Sequence, residues 1–320
     1  MDKWLKEQYK ADKVSDTSAD AYIRILKIVG AVRKLINLDF LEDIDKVKAN
    51  IIKMKKSDKP VSENTLKNRL TAILATVRFL DIPESIKTKY KEMHDEVGKK
   101  LRTIDESGVK NDKQKAYYMS KTEIEEKTAE LKKKAEDKSG RFLDNQNYLI
   151  WCLYTKVTPR RNLDYWLMDI VEDDTDWKTL PKERNYLMMK QKLLIFNQHK
   201  NTRYTEQKEI VEKIDLSNNE EMMEIIKDYL QYIPTPKDDK KRKVLLCYQN
   251  GIRWQRAAEI TKRLTTLSGK EKFGTNALRH IIAEHNAPPR EELDKLKKAA
   301  VESGHDILTH MTTYIKKTTL

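Results

Sequence analysis

The 320-residue chain has two cysteines, Cys152 and Cys247, too few for a disulfide framework. Each sits among apolar neighbours, Trp151-Cys152-Leu153 and Leu246-Cys247-Tyr248, as a reduced core thiol does. No Cys/His cluster has the spacing of a zinc site. Eight glycines and eight prolines argue against a turn-rich all-β fold. No run of ~18 apolar residues exists, so the sequence predicts no membrane-spanning helix. The opening M-D-K-W-L-K-E-Q lacks the apolar run of a secretory signal. These absences predict an intracellular protein that is not secreted. No compact Asp/Glu cluster is present either, which argues against metal-dependent nuclease chemistry.

What is present is charge. Charged residues make up 36% of the chain and apolar residues 38%, as in a charge-rich helical protein. Sixty-four Lys and Arg against 51 Asp and Glu leave a net charge of +13. That balance suits a polyanion, nucleic acid first. Charge alone fits a solvated lysine-rich surface equally well. The length exceeds the ~250–300 residues at which single cores stop growing, which predicts two domains.

Apolar residues recur at helical spacing over 18–37 (Tyr22, Ile25, Leu26, Val29, Val32, Ile36), with Ser18 as N-cap. The pattern returns over 62–80 behind Ser62, with a shorter helix over 39–55 and a fourth over 84–101. Residues 103–116 carry no apolar stripe and read as a linker. Residues 1–110 therefore read as a helical domain and 111–320 as a second one. In the second, Ser120 opens a charged helix, and 144–157 is an apolar, aromatic helix leading into T-P-R-R. Apolar runs at Tyr186–Met189, Leu193–Phe196 and Ile210-Val211, split by polar turns, predict a small antiparallel β-sheet. Ser217 and Glu220 predict a capping box before a helix over 218–232, which Pro234 ends.

Two segments carry chemistry. Residues 158–164 read T-P-R-R-N-L-D, and 274–283 read G-T-N-A-L-R-H-I-I-A. Gly304-His305 follows, and Tyr314 lies nine positions beyond His305. Two arginines, a histidine and a late tyrosine in this order resemble the tyrosine recombinase (phage integrase-like) family. The family pattern near T-G-x-R-x-x-E places its first arginine at Arg161, paired with Asp164, with Arg160 as the adjacent competitor. Arg279 matches the second arginine. His305 matches the following histidine, Tyr314 the nucleophile, and Lys200 the lysine in the turn between the second and third strands, with Lys208 competing.

The resemblance implies a mainly α fold with a small sheet: a helical, SAM-like core-binding domain followed by the catalytic domain. It implies a recombinase or integrase of a mobile element or virus that cleaves and rejoins double-stranded DNA through a 3′-phosphotyrosine. It implies no cofactor, metal or ATP, and a homo-oligomer, a tetramer on DNA. Two guanidiniums would clamp the non-bridging phosphate oxygens and stabilise charge growing there. Lys200 would protonate the leaving 5′-oxygen, and His305 would hydrogen-bond the phosphate or move a proton.

Where the family has a histidine three residues before the second arginine, this chain has Asn276. Asparagine can bond phosphate but takes up no proton, which leaves His280 as one candidate for that role. Only six residues follow Tyr314, fewer than the tail that docks on a neighbouring subunit in many relatives. Two rival readings keep the DNA. One is a type IB topoisomerase-like relaxing enzyme. The other is a relative that binds DNA without cutting it, as Asn276 would allow.

Overall fold

The computed structural model describes residues 1–54, 57–137, 142–198, 212–234 and 243–302. The chain divides into two compact units, Met1–Val109 and Lys110–Leu320. It is mainly helical, with a small mixed sheet in the second unit. Among the described residues no helix is long and apolar enough to cross a membrane.

The first unit opens with α1 (Asp2–Ala11) and α2 (Asp16–Val29). The α2 cap is Ser15, which accepts from the Ser18 amide at 3.3 Å, a turn earlier than the sequence pattern suggests. The helix also stops at Val29 and not at 37. Gly30 follows, where a Cβ would stand 3.0 Å from the Phe40 ring, and Ala31 adopts φ 54°. Val32 and Ile36 consequently leave the stripe and are exposed. The expected helix over 39–55 is a 3-10 turn (Asp39–Leu41), then α3 (Ile44–Ile51), then β1 (Lys53–Met54) paired antiparallel with β2 (Ser57–Pro60). The next helix, α4 (Glu63–Val77), opens on Ser62 as expected, Thr65 N donating to its hydroxyl. The long α5 (Glu84–Ser107) packs against α4.

Leu5, Leu26, Leu41, Leu70 and Ile73 fill this unit's core. Three buried polar side chains in it, Tyr9, Tyr90 and Arg69, are paired. Tyr9 and Thr76 share a 2.6 Å hydrogen bond, and the Tyr90 hydroxyl donates to Leu41 O. Arg69, buried on α4, donates to Ile51 O at 2.6 Å and Lys53 O at 2.9 Å, satisfying carbonyls at the end of α3. Arg69→Met strands those carbonyls and is expected to lower stability by about 2–4 kcal/mol, read from the urea midpoint.

The span read as a linker is largely helical. Helix α5 continues to Ser107, Gly108 ends it at φ 65°, and Asn111 and Gln114 form a capping box for α6 (Asp112–Tyr117). Beyond Gly98, α5 buries no residue, and α6 buries none. A helix with no buried face leaves no stripe to read.

In the second unit α7 (Lys121–Glu136) starts on a Ser120/Glu123 capping box. Helix α8 (Phe142–Thr155) is buried through most of its length and packs against α7, α10 (Glu220–Tyr232), α11 (Ala258–Ser268) and α12 (Thr275–His285). The α10 cap is Asn219, which accepts from Met222 N. Ser217 lies two residues before that cap, in the preceding turn, where its amide donates to Asp215 Oδ1. Two further helices are α9 (Asn162–Trp166) and α13 (Arg290–Glu302).

The sheet runs β3 (Met168–Val171), β4 (Asn185–Met188), β5 (Leu193–Phe196), β6 (Glu212–Asp215) in spatial order. Pair β4–β5 is antiparallel, as expected, and so is β5–β6, whereas the expected run at Ile210-Val211 lies outside the described residues; β3 lies parallel to β4, so the sheet is mixed and not wholly antiparallel. Strand β3 escapes the sequence reading because Met-Asp-Ile-Val follows α9 after one residue and is too short to show a period. Leu187, Leu194 and Phe196 face the main core, while Tyr186, Met188 and Ile195 form a small core with Leu180 on the other face. Burial on both faces explains the continuous apolar runs.

Candidate functional site

The T-P-R-R segment is the exit from α8. Pro159 cannot continue a helix and favours extended backbone before it. Arg161, at φ −78° and ψ 158°, is the extended N-cap of α9. In extended backbone, successive side chains point to opposite sides. Arg160 takes the inner side. Its Nε donates to Asp164 Oδ2 at 3.0 Å, its Nη1 contacts Glu212 on β6, and its guanidinium lies 4.5 Å from the centre of the Phe196 ring. The Asp164 side chain is 1% exposed.

This corrects the expected pairing. The buried carboxylate belongs to Arg160, not Arg161. Arg161 is half-buried and has no ion pair or side-chain hydrogen bond among the described residues. The two adjacent arginines thus differ in their ion pairs. Arg160 is held by carboxylates, whereas the Arg161 guanidinium has no such partner among the described residues.

Arg279 lies on α12 and reaches back to the same segment. Its Nε donates to Pro159 O at 3.2 Å, across 120 positions of sequence. Its two terminal nitrogens have no partner among the described residues. A cavity of about 540 Å³ lies along this junction, lined by Lys156, Thr158, Pro159, Arg279, His280 and Asn286 among others. Lys156 is neutralised by Glu221 at 2.7 Å. His280 is exposed, and so is Asn276 on the first turn of α12. Asn276 precedes Arg279 by three residues and His280 by four, so the three occupy neighbouring faces of the helix.

Two tyrosines lie in the field of Arg279, and both are fully buried. Burial raises the Tyr154 phenol well above its ordinary range, and burial likewise raises Tyr165. The Tyr165 hydroxyl donates to Leu153 O. Both phenols are enclosed in the core.

Lys200, its competitor Lys208, His305 and Tyr314 lie outside the described residues. The approach to the Lys200 segment is described as far as Gln198. Buried Asn185 holds it, accepting from Gln198 N at 2.7 Å and donating to Gln198 O at 3.0 Å. The same Asn185 amide donates to Asp164 O at 2.8 Å, tying the sheet to the arginine turn. Asn185, Asn162, Thr261 and Gly274 were not singled out from sequence. No local signal marks them, because their partners are distant in the chain.

The chain matches no protein-family model, no curated protein and no solved structure.

Proposed function

We propose that this chain is an integrase-like DNA strand transferase that works through a phosphotyrosine. One observation carries the reading. The T-P-R-R and A-L-R-H segments, far apart in sequence, meet where Arg279 bonds Pro159 O beside an open cavity. An arginine with uncommitted terminal nitrogens then stands close to the turn that presents Arg161. The meeting of the two segments supports a reading in which the two guanidiniums share one phosphate. The net charge of +13 suits a duplex DNA partner.

In this reading the Tyr314 phenolic oxygen attacks phosphorus, and its proton passes to His280. The bond from phosphorus to the 5′-oxygen breaks, and Lys200 protonates that leaving oxygen. The product is a 3′-phosphotyrosine, and a free 5′-hydroxyl reverses the step to rejoin DNA. Arg161 and Arg279 hold the non-bridging oxygens as their charge grows. Asn276 and His305 donate hydrogen bonds to the phosphate.

Covalent trapping tests the proposal. Duplexes that bind the protein are first selected from a randomised pool, then nicked so that the cleaved fragment diffuses away. A protein–DNA adduct that survives denaturation, formed in EDTA, is the expected result. Selected duplexes that bind without any adduct would leave a DNA-binding protein that does not cut.

A further inference from the structure

Arg160 and Arg161 are bracketed by two ties to the C-terminal part of the second unit. On one side Pro159 O accepts from Arg279 Nε. On the other, Asn162 Nδ2 donates to Thr261 Oγ1 at 2.8 Å. Thr261 sits on α11, and its hydroxyl lies 3.5 Å from that of Thr275, the first residue of α12. Thr275 precedes Arg279 by one helical turn. A chain of side chains therefore runs from the residue after Arg161 to the helix that carries Arg279.

The direction of this chain is set from below. Tyr154, fully buried, donates its hydroxyl to Asn162 Oδ1 at 3.4 Å. A phenol kept protonated by burial is a donor to an amide oxygen. With Oδ1 turned to Tyr154, the Asn162 nitrogen faces Thr261. The threonine is also fitted by shape. A Cβ added at Gly274 would stand 2.8 Å from Thr261 Cγ2, so the methyl occupies the space that Gly274 leaves. The α11–α12 turn has its own fastening, because the Thr265 hydroxyl bonds Phe273 O. The Thr261 hydroxyl is thus not needed to hold that turn together. Its distinctive contact is with Asn162.

We propose that Thr261 is a positioning residue that sets the separation of Arg161 and Arg279 through Asn162 and α12. The proposal rests on the strand-transfer reading for its functional consequence but not for its structural one. Arginines that share one phosphate must be placed to a fraction of an ångström, and a misplacement near 1 Å costs about 10²-fold in rate.

Two variants of the full chain separate the hydroxyl from the methyl. Thr261→Val keeps the shape against Gly274 and removes the acceptor of Asn162. Thr261→Ser keeps the acceptor and removes the methyl. In single-turnover cleavage of the selected nicked duplex, Thr261→Val is expected to lose roughly 10- to 100-fold in rate. Its DNA dissociation constant stays unchanged, and Thr261→Ser cleaves like the parent. A parent-like rate in Thr261→Val, an equal loss in Thr261→Ser, or a loss matched by weaker DNA binding would each overturn the proposal.

A second readout needs no activity. In ¹⁵N-arginine-labelled protein without DNA, the Arg279 Nε–H signal is assigned by its loss in Arg279→Lys. Its exchange with solvent is expected to quicken about 10-fold in Thr261→Val, as loss of a hydrogen-bonded support implies. It should stay unaltered in Thr261→Ser. If the parent forms no adduct, this measurement decides alone. Faster exchange upholds the positioning role while the strand-transfer reading falls, and unaltered exchange overturns the role itself.

Discussion

Tyr314→Phe is expected to abolish the covalent DNA adduct while leaving DNA binding intact. The substitution removes one oxygen and keeps the ring. Loss of a nucleophile costs at least roughly 10⁴-fold, which takes adduct formation below detection. The chain has 14 tyrosines, and the structure narrows the alternatives. Tyr9, Tyr90, Tyr148, Tyr154, Tyr165, Tyr186 and Tyr229 are buried. Of these, Tyr90, Tyr186 and Tyr229 spend their hydroxyls on the carbonyls of Leu41, Pro181 and Leu245. Tyr154 and Tyr165, the two in the field of Arg279, are enclosed in the core. A nucleophile for a phosphate held at Arg279 must therefore come from elsewhere in the chain. Tyr204→Phe is the matched control, since Tyr204, like Tyr314, lies outside the described residues. It is expected to retain the adduct. An adduct in Tyr314→Phe, or its loss in Tyr204→Phe, would move the nucleophile away from Tyr314.

The sequence was legible where local physics decides the outcome. Ser62 and Ser120 are read as N-caps because a hydroxyl before a helical stripe has a local partner three residues on. The buried helix α8 and strands β4 and β5 show as dense apolar runs. What stayed hidden has two physical causes. Helices α5 and α6 cover the expected linker with polar residues that bury almost nothing, so periodicity is silent there. Strand β3 and the arginine turn depend on partners far away in sequence. The Asn162–Thr261 bond spans 99 positions, and no pattern around either residue announces it. The pairing of Asp164 shows the same limit. Motif spacing points to Arg161, but which arginine faces the core depends on Phe196 and Glu212, which the turn meets only after folding.

That reassignment gives the largest stability effect expected in the second unit. Arg160→Ala removes the cation that the structure gives to a carboxylate held in the core. It also removes the guanidinium above Phe196 and the contact to Glu212. Breaking a buried ion pair from one side costs about 3–5 kcal/mol. The urea midpoint of Arg160→Ala should fall accordingly. Adding Asp164→Asn removes the charge that Arg160 had faced and should recover about 1–2 kcal/mol of the loss, the non-additivity expected of coupled partners. Arg161→Ala should behave in the opposite way. Its side chain supports nothing among the described residues, so stability should shift by less than about 0.5 kcal/mol. Strand cleavage, however, should fall by roughly 10²–10³-fold, the usual cost of one lost donor to a developing oxyanion. Equal destabilisation by the two variants would contradict the assignment of Asp164 to Arg160. A stable Arg160→Ala that cannot cleave, beside an Arg161→Ala that can, would exchange the roles of the two arginines.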